Sequence, residues 1–218
     1  MKKCITEISK KTKEQLQPYC HPMFTTCKPL ILASASPRRQ QILSQLGLDF
    51  SSIPADIDET PLRHENPVDF ARRMAATKAE TIATLHPHSF VIGADTVVII
   101  DNTIIGKPAD PGDALRTLQY LQGKTHRVTT GLSIFNQGND IRKTTSETTK
   151  VYFNTFTTNI LQSYINTGEP LDKAGSYGMQ AGGGFLVDRI EGSFSNAIGL
   201  PMSTCTKLLL QLGIISPL

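Results

Sequence analysis

Asp95 is the residue in this chain that most needs a chemical reason. It stands between two apolar runs, Phe90-Val91-Ile92-Gly93-Ala94 before it and Val97 to Ile100 after Thr96. A carboxylate in such a run is costly to bury unless it meets a cation or hydrogen-bond donors. Two readings are open: a general base or Mg²⁺ ligand, or a strand-end carboxylate that caps a turn. A second stretch, Ser34-Ala35-Ser36-Pro37-Arg38-Arg39, follows the apolar run Leu30 to Ala33. Hydroxyls, a helix-starting proline and two guanidiniums at a strand-to-helix turn are the parts of an anion cradle. The first N–H groups of a helix lack partners, and the positive end of its dipole lies there. The same residues also make an ordinary capped helix with two solvated arginines. Asp58 and Glu59 suit a hard cation that takes one or two carboxylates, or form a solvated acidic loop. Lys78, Lys107 and Lys173 are further cations for phosphate. Lys107 is held between Gly106 and Pro108 at a strand exit.

Several familiar patterns are absent. The chain has no G-x-x-x-x-G-K-[ST], no G-x-G-x-x-G, no H-E-x-x-H and no G-x-S-x-G, which excludes the P-loop, dinucleotide, zincin and serine-elbow chemistries. Gly182-Gly183-Gly184 is a weak substitute for a phosphate loop. His126 stands at a strand start, where a structural hydrogen bond explains it better than catalysis.

These residues need elements to carry them. Ser36 and Pro37 open a helix with Ile42, Leu43 and Leu46 on one face and Gly47 as its stop. Leu48 to Ile53 reads as a strand. Asn66-Pro67 opens a second helix, whose apolar face is Val68, Ala71, Met74, Ala75, Ala79 and Ile82. Lys78 falls beside that face, either snorkelling to solvent or aimed into a cleft. Phe90 to Ala94 is a strand that breaks at Asp95-Thr96 and resumes at Val97. Asp101-Asn102 is a hairpin turn with Thr103 to Ile105 returning. Asp110-Pro111 opens a helix over Ala114, Leu115, Leu118 and Leu121. Two long strands, about 125–136 and 141–153, form an antiparallel pair. A helix through Ile160 to Ile165 stops at Gly168. Phe185 to Val187 is a short strand, Asn196 to Pro201 a loop, and a last helix carries Leu208 to Leu212. This order predicts an α/β fold: a mixed, twisted central sheet flanked by helices, in two lobes around a cleft, with binding sites at strand ends.

Composition narrows the class. The chain has 218 residues, 39% hydrophobic and 19% charged, with a formal net charge of +3. Residues 1–28 hold six lysines and two glutamates, a balance of +4, so the remainder carries −1. The body is not a basic nucleic-acid-binding domain. The division is a basic extension over 1–28, expected to be flexible, and one domain over 29–218. The extension lacks an apolar signal core and has no arginine. No apolar run approaches the roughly 20 residues that cross a bilayer. Four cysteines without C-x-x-C spacing indicate neither a disulfide framework nor zinc. A cytoplasmic protein is expected.

Eight stretches together resemble one family: SASPRRQQIL (34–43), DIDET (56–60), MAATKA (74–79), IGADTVV (92–98), GKP (106–108), THRVTTG (125–131), GEPLDKAGSYGMQ (168–180) and NAIGLP (196–201). The chain resembles the Maf family of nucleoside triphosphate pyrophosphatases over about residues 29–213. The resemblance implies an elongated two-lobed fold of the inosine-triphosphatase type, often dimeric, with a deep cleft. It implies hydrolysis of a nucleoside triphosphate to a monophosphate and diphosphate with Mg²⁺ or Mn²⁺. Asp95 matches the catalytic base and a metal ligand, and Glu59 the second metal position. Ser34, Arg38 and Arg39 match the triphosphate loop, and Lys78 and Lys107 the phosphate-neutralising lysines. Thr96 and Gln180, with Arg38, match the positions that mark enzymes acting on dTTP, UTP and modified pyrimidine nucleotides. The rivals are the same chemistry on a modified purine such as 7-methyl-GTP, and a non-catalytic nucleotide- or nucleic-acid-binding regulator of cell division. The family's historical link to septum formation leaves a role in cell-division arrest as a further expectation.

Overall fold

The computed structural model describes residues 22–218. The expected flexible extension falls mostly on residues 1–21, outside the described residues. The described part of it joins the fold: β1 (Phe24–Thr26) pairs antiparallel with β9 (Ile215–Pro217), the last strand of the chain.

The main sheet has seven strands. Six follow the order β3-β2-β4-β6-β7-β8, and β5 joins β4 beside that path. They are β2 (Leu30–Leu32), β3 (Ser51–Ser52), β4 (Phe90–Ile100), β5 (Thr103–Ile105), β6 (Thr125–Asn136), β7 (Ile141–Phe153) and β8 (Val187–Glu191). β2 runs parallel to β3 and β4, and the other pairs are antiparallel, so the sheet is mixed. The helices are α1 (Pro37–Gln45), α2 (Pro67–Leu85), α3 (Pro111–Leu121), α4 (Thr158–Ile165), α5 (Phe194–Ala197) and α6 (Met202–Gln211). Three of them begin on proline after a non-helical cap, as the sequence dictates. Asp101 and Asn102, at φ 49° and 61°, turn β4 into β5 in the left-handed conformation that two-residue hairpins need.

Three local expectations are corrected. β4 does not break at Asp95-Thr96, because β6 supplies an unbroken ladder from Val91 to Ile99, with Asp95 opposite Gly131 and Thr96 opposite Thr130. The strand expected over 48–53 shrinks to Ser51–Ser52, since the three-residue β2 offers only Ile31 and Leu32 as partners. Phe185 and Leu186 lie in a tight 3₁₀ turn, Gly182–Leu186, and pairing with β7 begins only at Val187.

One face of the sheet carries α2 and the other carries two separate cores. Leu32, Ile42, Leu43, Ile92, Leu132 and Leu209 join α1 and α6 to one end. Val98, Leu118, Leu121, Val128, Val151 and Leu161 join α3 and α4 to the other. Between them, α5 is fastened to the sheet by Asn196. Its amide donates to Val128 O at 3.1 Å and Thr149 Oγ1 at 2.8 Å, and it accepts from Thr130 N at 3.2 Å. His126 is structural. It is 1% exposed, shares a 2.7 Å hydrogen bond with Tyr177 OH, and meets Phe153 and Tyr177 edge-on.

The contact between α2 and the sheet is unusually close. A Cβ on Gly93 would overlap the Ala75 carbonyl oxygen and Ala79, and one on Gly131 would overlap the Ala71 carbonyl. Helix backbone therefore lies directly on strand backbone, with alanines on one side and glycines on the other. The nearest obstructing atoms are main chain, so they yield only if the whole helix shifts. Gly131→Ala is expected to cost about 1–3 kcal/mol, read as a lower midpoint in urea or heat.

Burial pushes the His126 imidazole down to about 4 from 6.5. The unfolded chain takes up this proton near pH 6.5 and the folded chain only near 4, so the unfolded state binds more protons between them. Stability from this group is complete above pH 6.5 and falls as pH drops toward 4, by up to about 3 kcal/mol. Urea midpoints of the wild type and His126→Gln across pH 4–7 should show a steeper acid loss in the wild type.

Candidate active site

The cleft forms where β4 has a bare edge. On that side β2 covers residues 90–92 and β5 covers residues 98–100, leaving 93–97 without a strand neighbour. A cleft of about 1110 Å³ opens against this gap. Alternation along the strand sends Asp95 to the α2 face and Thr96 to the α5 face. The two residues therefore organise opposite walls.

On the α2 wall, Lys78 Nζ lies 2.7 Å from Asp95 Oδ1 and 2.7 Å from Glu59 Oε1. Lys78 and Asp95 are each 8% exposed, so the lysine is aimed inward. The close packing at Gly93 and Gly131 puts α2 within reach: Lys78 precedes Ala79, which rests on Gly93, and Asp95 is two residues further along β4. Of the two acidic neighbours, only Glu59 turns to the cleft. Asp58 Oδ1 accepts from Thr60 N at 2.9 Å and Thr60 Oγ1 at 2.6 Å, which pulls its carboxyl below the usual range. It shapes the loop and does not reach Lys78.

On the other wall, Arg39 is pinned from three elements. Nε donates to Gly199 O at 2.8 Å, one terminal nitrogen to Ser34 Oγ at 3.2 Å, and the other to Thr96 Oγ1 at 3.1 Å. Ser34 Oγ also accepts from Ser36 N at 3.1 Å, and Thr96 Oγ1 shares a 2.9 Å bond with Thr130 Oγ1. Burial lowers the Arg39 pKa, and the nearby Asp95 carboxylate opposes it. A guanidinium stays charged in either case. Ser36 occupies the N-cap of α1, but its side chain caps nothing, unlike Asn66 on α2 and Asp110 on α3. The first N–H groups of α1 are left without that partner beside the cleft, a suitable place for an anion.

Arg38, Lys107 and Gln180 also line the cleft. The nine residues matched to the family's site thus line one cavity, and Asp58 does not. Lys107 and Gln180 are exposed at its mouth. Among the described residues neither Arg38 nor Lys107 is in an ion pair. Lys173 is already committed: it donates to Glu169 O and to Asp172 Oδ1, both at 2.6 Å.

Two shaping residues escaped the sequence reading. Glu169 accepts from Tyr164 OH at 3.0 Å, Gly182 N at 2.9 Å and Gly183 N at 3.3 Å, clamping the loop that carries Gln180. Asn196 holds α5 and Gly199 against the sheet. Both stood inside the quoted stretches, but one sequence cannot show which distant N–H groups a carboxylate or amide will meet.

The residues present are compatible with a hard divalent cation. Glu59 and Asp95 both reach the Lys78 ammonium and offer only oxygen beside it. Among the described residues there is no cluster of three or more His, Cys, Asp or Glu side chains. A two-carboxylate set of this kind suits an ion that also takes substrate oxygens.

Comparison with known proteins identifies the family. The model of the family described as Maf-like protein matches residues 29–212. A dTTP/UTP pyrophosphatase of Desulfotalea psychrophila is 44% identical over 194 residues, covering 89% of this chain and 100% of that protein. A protein of the same name from Geotalea uraniireducens is 42% identical over 186 residues, 85% of this chain and 96% of the relative. Another, from Nitratidesulfovibrio vulgaris, is 44% identical over 194 residues, 88% and 91%. With a family match spanning nearly all of the described residues and full-length relatives at this identity, the chain belongs to the Maf-like protein family.

Proposed function

We propose that this protein hydrolyses pyrimidine nucleoside triphosphates, dTTP and UTP foremost, to the monophosphate and diphosphate. The observation that carries this reading is the buried Asp95–Lys78 pair facing the pinned Arg39 across one cleft. Its support from relatives is their shared name, dTTP/UTP pyrophosphatase. Among the described residues no helix is long and apolar enough to cross a membrane. A cytoplasmic location goes with the reading, and among the described residues Cys27 and Cys205 are not joined in a disulfide.

The triphosphate lies along the wall of Arg39, Ser34 and the open start of α1. Arg39, Lys78 and Lys107 offset its charge, and Arg38 stands ready at the entrance. Asp95 orients a water and takes its proton as the water oxygen bonds to phosphorus. The bridging P–O bond then breaks and diphosphate leaves. Lys78 keeps the Asp95 carboxylate in one orientation and tethers Glu59 beside it. Glu59 and Asp95 are the residues that would hold Mg²⁺ or Mn²⁺. When bound, such an ion stabilises charge on the phosphate oxygens. Most of the rate comes from groups fixed before substrate arrives.

Asp95→Asn keeps an oxygen for Lys78 but cannot take a proton. Diphosphate release from dTTP should fall about 10²–10⁴-fold in a protein that still folds, with a lower melting midpoint because Lys78 keeps only the exposed Glu59 carboxylate as its charge partner. Release at the wild-type rate sinks the role given to Asp95.

The Thr96 hydroxyl is already engaged by Arg39 and Thr130, so Thr96 acts through Arg39. Gln180 is exposed at the mouth and has no side-chain hydrogen bond among the described residues. Thr96→Val should therefore raise KM for every triphosphate alike, while Gln180→Ala should change the ratio of kcat/KM between pyrimidine and purine triphosphates. A substrate panel on both variants separates these effects. Equal loss across the panel for Gln180→Ala removes it from base choice.

A further inference from the structure

A nucleotide has a charged end and a flat apolar end, and this cleft is divided in the same way. Arg39, Lys78, Lys107 and the carboxylates occupy one part. The remainder is lined by apolar groups, among them Val98, Met179, Ile198 and the ring of Phe194. Phe194 is the anomaly. It is 48% exposed although it lines a cleft. Another exposed aromatic, Phe185, packs edge-on against Phe156 and Tyr164. Among the described residues, Phe194 stacks on no other ring.

The backbone that carries this ring is firmly held. Ser193, the residue before it, accepts at its carbonyl from Thr149 Oγ1 at 2.9 Å and donates its N–H to the same oxygen at 3.1 Å. Asn196, two residues after it, makes the bonds to Val128, Thr149 and Thr130 described above. The main chain is thus tied to β6 and β7 on both sides of Phe194, while about half of the residue meets solvent. An aromatic side chain fixed at its root, half exposed and without a stacked ring is prepared to take a planar partner, and only two torsions need to be ordered on binding.

We propose that Phe194 is the stacking platform for the nucleobase, a binding residue that supplies affinity and leaves base choice to Gln180. Every base has a π-face, so stacking tolerates pyrimidines and purines alike. The proposal rests on the nucleotide reading of this cleft, but it concerns binding and not the chemical step.

The test uses binding to the full chain. The sequence contains no tryptophan, so Phe194→Trp introduces a single indole at the platform. Its fluorescence should be quenched by dTMP and unchanged by inorganic triphosphate. By calorimetry, Phe194→Ala should bind dTMP and UMP roughly tenfold or more weakly and inorganic triphosphate as the wild type does. Wild-type affinity for dTMP in Phe194→Ala, or an indole blind to dTMP, overturns the proposal and leaves the hydrolase reading intact. A wild-type protein that binds dTTP without hydrolysing it overturns the hydrolase reading, and the Phe194 comparison still stands or falls on affinity. A wild-type protein that binds no nucleotide overturns both.

Discussion

The contact of α2 with the sheet at Gly93 and Gly131 is the constraint on which the rest depends. Those glycines let main chain rest on main chain, and Ala71, Ala75 and Ala79 keep the helix at that distance. Only then does the ammonium of Lys78 reach a carboxylate rooted in the middle of β4. Burying Asp95 alone is prohibitive, and burying Lys78 alone is equally so. Together, with Glu59 on the solvent side, they form a compensated group whose geometry is set by packing and not by flexible side chains. A buried pair of this kind contributes little net stability compared with apolar residues of the same volume. Its retention in the cleft accords with a chemical role.

The second organising feature is what β4 lacks. Eleven residues long, it is covered at its start by β2 and at its end by β5, and the five residues between them face a cavity. A strand bare for five residues offers two adjacent side chains to opposite walls. Asp95 serves the wall built by α2, and Thr96 serves the wall built by α1 and α5. The two cores on the far face support the wall of α1 and α5, and α2 is seated on its own face by Phe70, Met74, Ala79 and Ile82. Arg39 links three segments distant in sequence, the loop at Ser34, β4 at Thr96 and the turn at Gly199. A planar five-donor cation does this better than an ammonium would.

Much of this was legible from residue types. Asp110-Pro111, Asn66-Pro67 and Pro37 opened the helices where expected, because a proline after a capping residue has little alternative. The long β6 and β7 runs carried enough alternation and branching to declare themselves. Asp95 stood out because a charge inside an apolar run has few inexpensive explanations. What could not be read was long-range. The continuity of β4 through Asp95 depends on the ladder with β6, and the shortness of β3 depends on how little of β2 remains to pair. The role of Thr96 was legible as a position but not as a contact, since its partner Arg39 lies 57 residues away. Glu169 and Phe194 carried no local signal: one acts through distant N–H groups, and the other is notable only for what does not cover it.

The most direct test of this account is phosphorus NMR of dTTP incubated with the full chain and Mg²⁺. The account predicts dTMP and diphosphate in equal amounts, with no orthophosphate at early times. Appearance of dTDP with orthophosphate, or bound dTTP that persists unchanged, would contradict it.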